Sequence, residues 1–398
     1  MNCRKKQMPQ NKRKIIRHEA DLTFRESMSI IVGHGVGAGI LAAPYVASQN
    51  SLISLFFACA IAYCVNYLLH LFVAELSLRN DGAQIITCIR QTVFSGKLGG
   101  VVVWAAFIIL GLSEFVKGAG FITGAAAALS EWFRIPEPLA MVIYYVLAGA
   151  VVFRGMKFVG LCEQASVYTM IVVMFMLGIA VIVHPMAGFT DKPIDMSFGS
   201  FIALYSMLTF SLSSIMSVPQ VVKGLQGDVK KIRGAIASGT GINACLILMI
   251  TVITLYGTGG AVTEDGAMVD LARSLGGWVK VVGLLFTLLA VSTSFWACTL
   301  NLRDIIAEKL PLSINHCFVL ATLPCLILAV TDLSDFVGLT RISGMSTVIA
   351  GLAIIPAFLK IRNDSSESPV CGRFFSLPYG LLIAVFSLLA AIGAAVPL

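Results

Sequence analysis

Nearly the whole chain divides into apolar runs of roughly 20 residues, separated by short polar connections. A helix of that length crosses the ~30 Å hydrocarbon core of a bilayer, because a helix rises about 1.5 Å per residue. The pattern therefore predicts an all-α polytopic membrane protein with about eleven transmembrane helices, numbered here as spans 1 to 11. Their predicted bounds are 27–50, 51–76, 99–128, 137–153, 159–184, 198–223, 235–258, 277–300, 316–331, 336–359 and 374–396.

The composition agrees with a membrane protein. Of the 398 residues, 58% are hydrophobic and 12% are charged, and the mean hydropathy is +0.90. Soluble domains carry about twice that share of charged residues. The first 26 residues are polar and basic, and no short apolar core with a small-residue cleavage pattern follows them. We therefore expect a basic tail ahead of span 1, not a removable signal peptide.

Lysine and arginine residues predict the orientation in the membrane. If the tail is cytoplasmic, most of the 28 basic residues fall in the tail or in connections on the same side, such as the one with Lys230, Lys231 and Arg233. We expect the protein to lie in the cytoplasmic (inner) membrane. An odd number of spans then places its C-terminus outside. Because the basic residues are spread over many connections, the net charge of +7 indicates contact with membrane lipid and no nucleic-acid partner.

Enzyme motifs are missing from the sequence. It has no HExxH zinc motif, no phosphate-binding P-loop and no GxSxG nucleophile motif. The connections are too short for a nucleotide-binding domain, and most of the ten cysteines lie inside spans without metal-ligand spacing. We therefore expect neither an enzyme nor a cofactor.

Span 1 contains the stretch GHGVGAGILAAPY at 33–45, with glycine at every second position from Gly33 to Gly39. Gly33 with Gly37, and Gly35 with Gly39, have the GxxxG spacing that permits close helix packing. Steps of two residues turn about 200° around a helix, so the two pairs lie on different faces. Glycine also costs about 1 kcal/mol relative to alanine inside a helix. We predict that span 1 unwinds here, with close packing alone as the alternative.

Span 6 carries a matching interruption in TFSLSSIMSVPQ at 209–220. Pro219 removes a backbone donor, and the neighbouring serines can return hydrogen bonds to carbonyl groups that lose theirs. Unwound backbone inside a membrane is tolerated where it faces protein or water, and there it binds ions and polar substrates. Two breaks five spans apart predict a secondary transporter with inverted repeats, whereas a simple proline kink in span 6 is the alternative.

Three segments resemble the amino acid/auxin permease family of the amino acid-polyamine-organocation superfamily, particularly its bacterial branch of hydroxy and aromatic amino acid permeases. These segments are VGHGVGAGILAAPYV in span 1, SVPQVVKGLQGDVKKIRGAIASGTG from span 6 into span 7, and LLAVSTSFWACTLNLRDIIAEKL in span 8. The resemblance implies the leucine-transporter fold, a 5+5 inverted repeat. The implied divisions are a cytoplasmic tail over 1–26, a first repeat over 27–184, an inverted second repeat over 198–359, and a peripheral span 11 over 374–396.

The resemblance also implies a function and a substrate site. The function would be import of an aromatic or hydroxy amino acid by alternating access, coupled to a proton gradient. A sodium-coupled symporter of small neutral amino acids, which the span 6 serines would also suit, and an amino acid sensor that does not transport are the alternatives. The implied substrate positions are Gly35, Val36, Gly37, Ala38 and Gly39 in span 1 and Leu212, Ser213, Ser214 and Ser217 in span 6.

A sodium ion is one way to couple transport to a gradient. In the leucine-transporter fold a cation often lies between carbonyl groups of span 1 and hydroxyl groups of span 8. The positions implied here are Gly33, Val36, Ser292 and Thr293. We expect no other metal site.

Coupling of transport to a proton gradient is the other possibility, and it is the one that we expect. Glu114 and Lys117 in span 3 are three residues apart and share a helix face. Charges inside a span cost about 2.5 to 3.5 kcal/mol each, so they are functional candidates by default. His34, beside the span 1 break, is a further candidate because imidazole changes its charge near neutral pH. The alternative is that Glu114 and Lys117 form a static ion pair.

Overall fold

The computed structural model describes residues 21–94, 97–183, 191, 197–263, 266–331, 355–363 and 370–396, which are mostly helical. Within these ranges, seven helices are long and apolar enough to cross a membrane, or eight if a bent pair of helices is taken as one span. Two shorter apolar helices coincide with predicted spans 4 and 9. Residues 1–20 of the tail and span 10 as far as residue 354 lie outside the described residues, so those predictions are not examined by the structure.

Predicted and observed helices agree closely. Span 1 consists of two helices, Phe24–Gly35 and Ala38–Ser48, and span 6 consists of Phe198–Leu212 and Val218–Gly224 with a 3-10 turn at Ile215–Ser217. Residues 355–363 form the described helix of span 10. The continuous spans 2, 3, 4, 5, 7, 8, 9 and 11 are Leu52–Arg79, Lys97–Phe133, Glu137–Phe153, Met156–Val183, Val229–Gly257, Gly277–Lys309, Ile314–Val330 and Leu377–Ala394.

Hydropathy alone misplaces some helix ends. Span 8 was predicted to end at residue 300 but continues to Lys309, through a polar segment that includes Arg303 and Asp304. These two side chains form a buried ion pair with an N–O distance of 2.8 Å. A run of polar residues therefore remains helical where the protein interior supplies partners for the charges.

In the described part of the chain, two short α-helices lie outside the predicted spans, at Ile85–Thr92 and Ala267–Leu275. Each is too short to cross a bilayer. In the first, Ile85, Ile86 and Ile89 are buried and lie on one side, which is the pattern of an amphipathic helix packed on the bundle. A search for apolar runs of about 20 residues does not detect such short helices, in which apolar and polar residues alternate.

Side-chain caps define several helix starts. At the start of span 1, Thr23 Oγ1 accepts from the Glu26 N–H at 3.3 Å, and the Glu26 carboxylate accepts from the Thr23 N–H at 2.7 Å. This capping box occupies donors that have no partner inside the helix. Asp228 caps span 7 in a similar way by accepting from the Lys231 N–H at 3.1 Å.

The outer surface of the bundle is apolar and its interior contains polar groups. Large apolar side chains such as Ile53, Phe57 and Ile182 are more than half exposed, as expected for side chains that face lipid. Spans 1 and 6 lie inside: the first helix of span 1 packs against spans 5, 7 and 8, and the first helix of span 6 packs against spans 2 and 11. This packing brings the two predicted breaks to the centre of the bundle.

Candidate substrate and ion sites

Span 1 breaks where the glycines are concentrated. Its first helix ends at Gly35 and its second begins at Ala38, and the two helices are bent by 52°. The first backbone N–H groups of the second helix lack helical partners, and they carry the positive end of the helix dipole. The predicted unwinding of span 1 is therefore confirmed, and the resulting amide groups suit an anionic group such as a carboxylate.

The same glycines allow neighbouring spans to approach closely from several sides. A methyl group added at any of the four would overlap a side chain from a neighbouring span. The overlapping side chains are Glu163 in span 5 at Gly33, Asn243 in span 7 at Gly35, Ser294 in span 8 at Gly37, and Ser211 in span 6 at Gly39. Unwinding and close packing, which the sequence presented as alternatives, therefore occur together.

Span 6 breaks at its serines, as predicted. Ser213 is extended, with φ −78° and ψ 113°, and a 3-10 turn then leads into the second helix. Pro219 lies in the first turn of that second helix, where a backbone donor would lack a helical partner in any case. The proline therefore starts a new helix and does not merely kink an existing one. The buried Ser213 hydroxyl has no hydrogen-bond partner among the described residues.

Spans 2 and 7 hold the span 6 break in place. The Ser214 backbone N–H donates to His70 Nε2 at 3.0 Å, which leaves Nδ1 to donate to Thr240 Oγ1 at 3.3 Å. Asn243 Nδ2 donates to the Ser211 carbonyl at 3.0 Å. These bonds satisfy backbone groups that the break removes from the helix, so the interruption is a built feature of the fold.

Direct hydrogen bonds join the two breaks to each other. Ser214 Oγ donates to the Ile31 carbonyl of span 1 at 2.6 Å. His34 Nδ1 lies 2.8 Å from Ser217 Oγ, and Asn301 Nδ2 of span 8 donates to the same oxygen at 3.1 Å. Ser217 thus connects three spans, and among the predicted serines Ser213 is the one whose hydroxyl has no hydrogen-bond partner in the described residues.

The remaining predicted substrate positions line the same place. Val36 and Leu212 are fully buried; Val36 directly follows the first helix of span 1, and Leu212 is the last residue of the first helix of span 6. Gly37 connects the two helices of span 1, directly beside Ser294 and Phe121. The structure therefore brings the predicted span 1 and span 6 positions together around one point.

Span 8 provides hydroxyl groups at the predicted cation position. Ser294 Oγ donates to the Gly33 carbonyl at 3.1 Å, and Thr293 Oγ1 donates to the Ala290 carbonyl at 2.9 Å. Both side chains are fully buried, whereas Ser292 is partly exposed. Ser294 therefore occupies the place beside span 1 that the sequence assigned to Ser292. The Ser294 hydroxyl and the Gly33 carbonyl are hard oxygen ligands of the kind that bind sodium.

Glu114 and Lys117 form an ion pair inside span 3. Lys117 Nζ donates to Glu114 Oε1 at 2.8 Å, and the side chains are 8% and 1% exposed respectively. The second carboxylate oxygen, Oε2, is buried without a hydrogen-bond partner in the described part of the chain. The two charges neutralise each other in this conformation, which favours the static pair.

Several residues beside the span 1 break were not predicted. Ser294 and Asn301 in span 8 contact span 1, and Glu163 in span 5 lies against Gly33. Sequence offered a signal for Glu163, because a carboxylate inside an apolar span is unusual enough to mark a functional site. Asn301 carries a weaker signal of the same kind, whereas Ser294 is one of several hydroxyl residues in its segment.

Comparison with solved structures identifies the fold. MhsT in complex with L-phenylalanine superimposes with a TM-score of 0.72 at 13% identity, over 94% of this chain and 99% of that one. Mhp1, a nucleobase-cation-symport-1 family transporter in a closed conformation with bromovinylhydantoin bound, gives a TM-score of 0.69 at 14% identity, over 94% and 91%. The chain has the leucine-transporter fold of membrane transporters, as predicted.

The chain belongs to the tryptophan/tyrosine permease family, which it matches over residues 22–396. It is 23% identical to the tryptophan-specific transport protein of Haemophilus influenzae, over 92% of this chain and 94% of that protein. It is therefore a multi-pass membrane transporter of amino acids and not an enzyme. The comparisons support the aromatic permease part of the predicted resemblance but do not extend to the amino acid/auxin permease family as a whole.

Proposed function

We propose that the chain imports an aromatic amino acid, with tryptophan as the first candidate, by alternating access across the cytoplasmic membrane, coupled to a proton gradient. The observation that carries the proposal is the pair of facing breaks joined by the Ser214–Ile31 and His34–Ser217 hydrogen bonds. The helix start after Gly37 suits the substrate carboxylate, and the Ser213 hydroxyl, which has no hydrogen-bond partner among the described residues, suits its amino group. No single helix provides both groups.

The surroundings of the break favour an aromatic substrate. Phe121 of span 3 approaches the break so closely that a β-carbon at Gly37 would lie 3.4 Å from its ring. An aromatic side chain next to the backbone of the site can pack against a substrate ring. The match to the tryptophan/tyrosine permease family and the tryptophan-specific relative support the same substrate class.

The end of the bundle near the basic tail is closed in this conformation. The Leu22 N–H donates to the Gly224 carbonyl of span 6 at 3.0 Å, and Lys157 Nζ of span 5 lies 2.7 Å from a Glu26 carboxylate oxygen. These contacts fasten the start of span 1 to spans 5 and 6. With the tail in the cytoplasm, alternating access requires them to separate when the site opens inward.

We expect aromatic amino acids to be the preferred substrates in a counterflow experiment. Purified protein is reconstituted in liposomes loaded with unlabelled tryptophan, and entry of labelled tryptophan is measured against a panel of all twenty amino acids. Tryptophan, tyrosine or phenylalanine should compete most strongly. Strong competition by serine or alanine with none by aromatic residues would favour the small neutral substrate class, and no accelerated exchange with any amino acid would contradict transport itself.

Sodium coupling is a second candidate, which the Ser294 and Gly33 contact favours. We expect replacement of sodium by choline to leave uptake unchanged, because the proposed driving ion is the proton. If sodium does stimulate uptake, Ser294→Ala should remove the stimulation, whereas Ser292→Ala, at a partly exposed hydroxyl, should retain it. Equal losses in the two variants would argue against a sodium ion at this position.

A further inference from the structure

Glu163 in span 5 is a completely buried carboxylate without a partner. Its exposure is 0%, and neither of its side-chain oxygens has a hydrogen bond or ion pair with any described residue. Burying an ionised carboxylate without a partner is strongly unfavourable, whereas the protonated acid can be buried at much lower cost. In the closed conformation Glu163 is therefore neutral and holds a proton.

The position of this carboxylate links it to the site. It packs directly on Gly33, where even a methyl group would overlap it. The carbonyl of Gly33 accepts from Ser294 Oγ, and the next residue, His34, contacts Ser217 of span 6. Because Gly33 has no side chain, the carboxyl group of Glu163 can lie against the last turn of span 1 before its break.

Among the residues that the structure describes, no charged group pairs with Glu163. Spans 1, 4, 7 and 8 pack against span 5, and the ionisable side chains on their faces toward the interior are already engaged or uncharged. Glu26 of span 1 pairs with Lys157, and Arg303 of span 8 pairs with Asp304. The buried residues of span 7 include no acidic or basic side chain. Other ionisable groups of the described interior are His34, His70, Tyr144 and Cys298, with Glu114 and Lys117 paired to each other and Cys162 next to Glu163 in sequence.

We propose that Glu163 is the residue that carries the coupling proton, an inference that rests on the proposed function. The carboxylate takes one proton from the outer solution when it is accessible there, and the neutral acid is then buried as span 1 closes on span 5. When the contacts of Glu26 and Leu22 separate, water reaches the acid, which releases the proton inward and returns to the carboxylate. One proton thus crosses per cycle, without any change at Glu114 or Lys117.

Glu163→Gln tests the assignment because glutamine keeps the size and polarity of a protonated glutamate but cannot release a proton. We expect counterflow of tryptophan to stay within about twofold of the parent protein, which also shows that the variant is folded. Uptake driven by an imposed pH gradient should fall to the level seen without a gradient. Glu163→Asp, which retains an ionisable group, should recover part of the driven uptake.

A matched control is Glu131→Gln, which makes the same change at a half-exposed carboxylate paired with Lys280. This variant should keep both tryptophan counterflow and uptake driven by a pH gradient. Driven uptake by Glu163→Gln equal to that of the parent would overturn the assignment, as would loss of counterflow and driven uptake together in both Glu163 variants. Absence of counterflow in the parent protein would instead contradict the proposed function and would be visible before any variant is made.

Discussion

Gly37→Leu is expected to abolish uptake while the protein still reaches the membrane. A β-carbon at this position would lie 3.0 Å from Ser294 Cβ and 3.4 Å from the Phe121 ring, and the rest of a leucine side chain would extend further into the space between the two breaks. Interiors are too closely packed to accept such a group without displacing the span 1 backbone. Counterflow of tryptophan should fall to the level of loaded liposomes without protein, and Gly37→Ala should lose part of the counterflow activity.

Gly100→Leu is the control for this experiment. It makes the same change at a glycine of span 3 beside which a β-carbon would meet nothing within 4 Å. We expect its transport and its amount in the membrane to match those of the parent protein. Normal counterflow by Gly37→Leu would show that the site does not lie at the span 1 break, and equal losses in both variants would show that the effect is not specific to the break.

Hydrophobicity determines most of the fold from the sequence. A run of about 20 apolar residues has few alternatives to a membrane helix, because backbone groups in lipid must be bonded within the segment. The spans that start and end against polar connections, such as Glu137–Phe153, therefore fall at their predicted bounds. The short amphipathic helices Ile85–Thr92 and Ala267–Leu275 could not be predicted this way, since their burial depends on contacts with distant parts of the chain.

The two breaks were predictable because helix breakers are concentrated there, whereas the contacts around them were not. Whether Ser292, Thr293 or Ser294 faces the Gly33 carbonyl depends on the rotation of span 8 about its axis, and one residue turns the helix by about 100°. The role of Ser217 likewise depends on His34 and Asn301, which lie far away in sequence. Hydrophobic patterns do not fix helix rotation to this precision in a bundle whose interior is partly polar.

The four glycines of span 1 illustrate the same limit. Their spacing indicates that they lie on more than one face, but it does not reveal what each face meets. In the structure Gly33 meets a carboxylate, Gly35 an amide, and Gly37 and Gly39 each a hydroxyl. The nearest neighbour of each glycine is a polar group, so the glycines bring polar groups into contact with the backbone near the break, whereas a packing motif alone would bring apolar surfaces together.

Lys117→Ala is expected to destabilise the protein by about 3–5 kcal/mol, because it leaves Glu114 charged or newly protonated in a buried site. Glu114→Ala should have a comparable effect for the same reason. In the double variant neither charge remains, and we expect most of the lost stability to return. The measurement is the midpoint temperature for loss of the monodisperse peak in size-exclusion chromatography after heating, compared for the parent, both single variants and the double variant.

The exposed pair of Glu131 and Lys280 is the matched control. Lys280 Nζ lies 2.7 Å from Glu131 Oε1, and both side chains are about half exposed. Alanine substitutions there should change stability by no more than about 1 kcal/mol, because water screens the interaction. If the span 3 pair is static, the double variant at Glu114 and Lys117 should also keep uptake driven by a pH gradient, whereas Glu163→Gln should lose it. A double variant that is stable and exchanges tryptophan, yet no longer responds to the gradient, would move the proton pathway from span 5 to span 3.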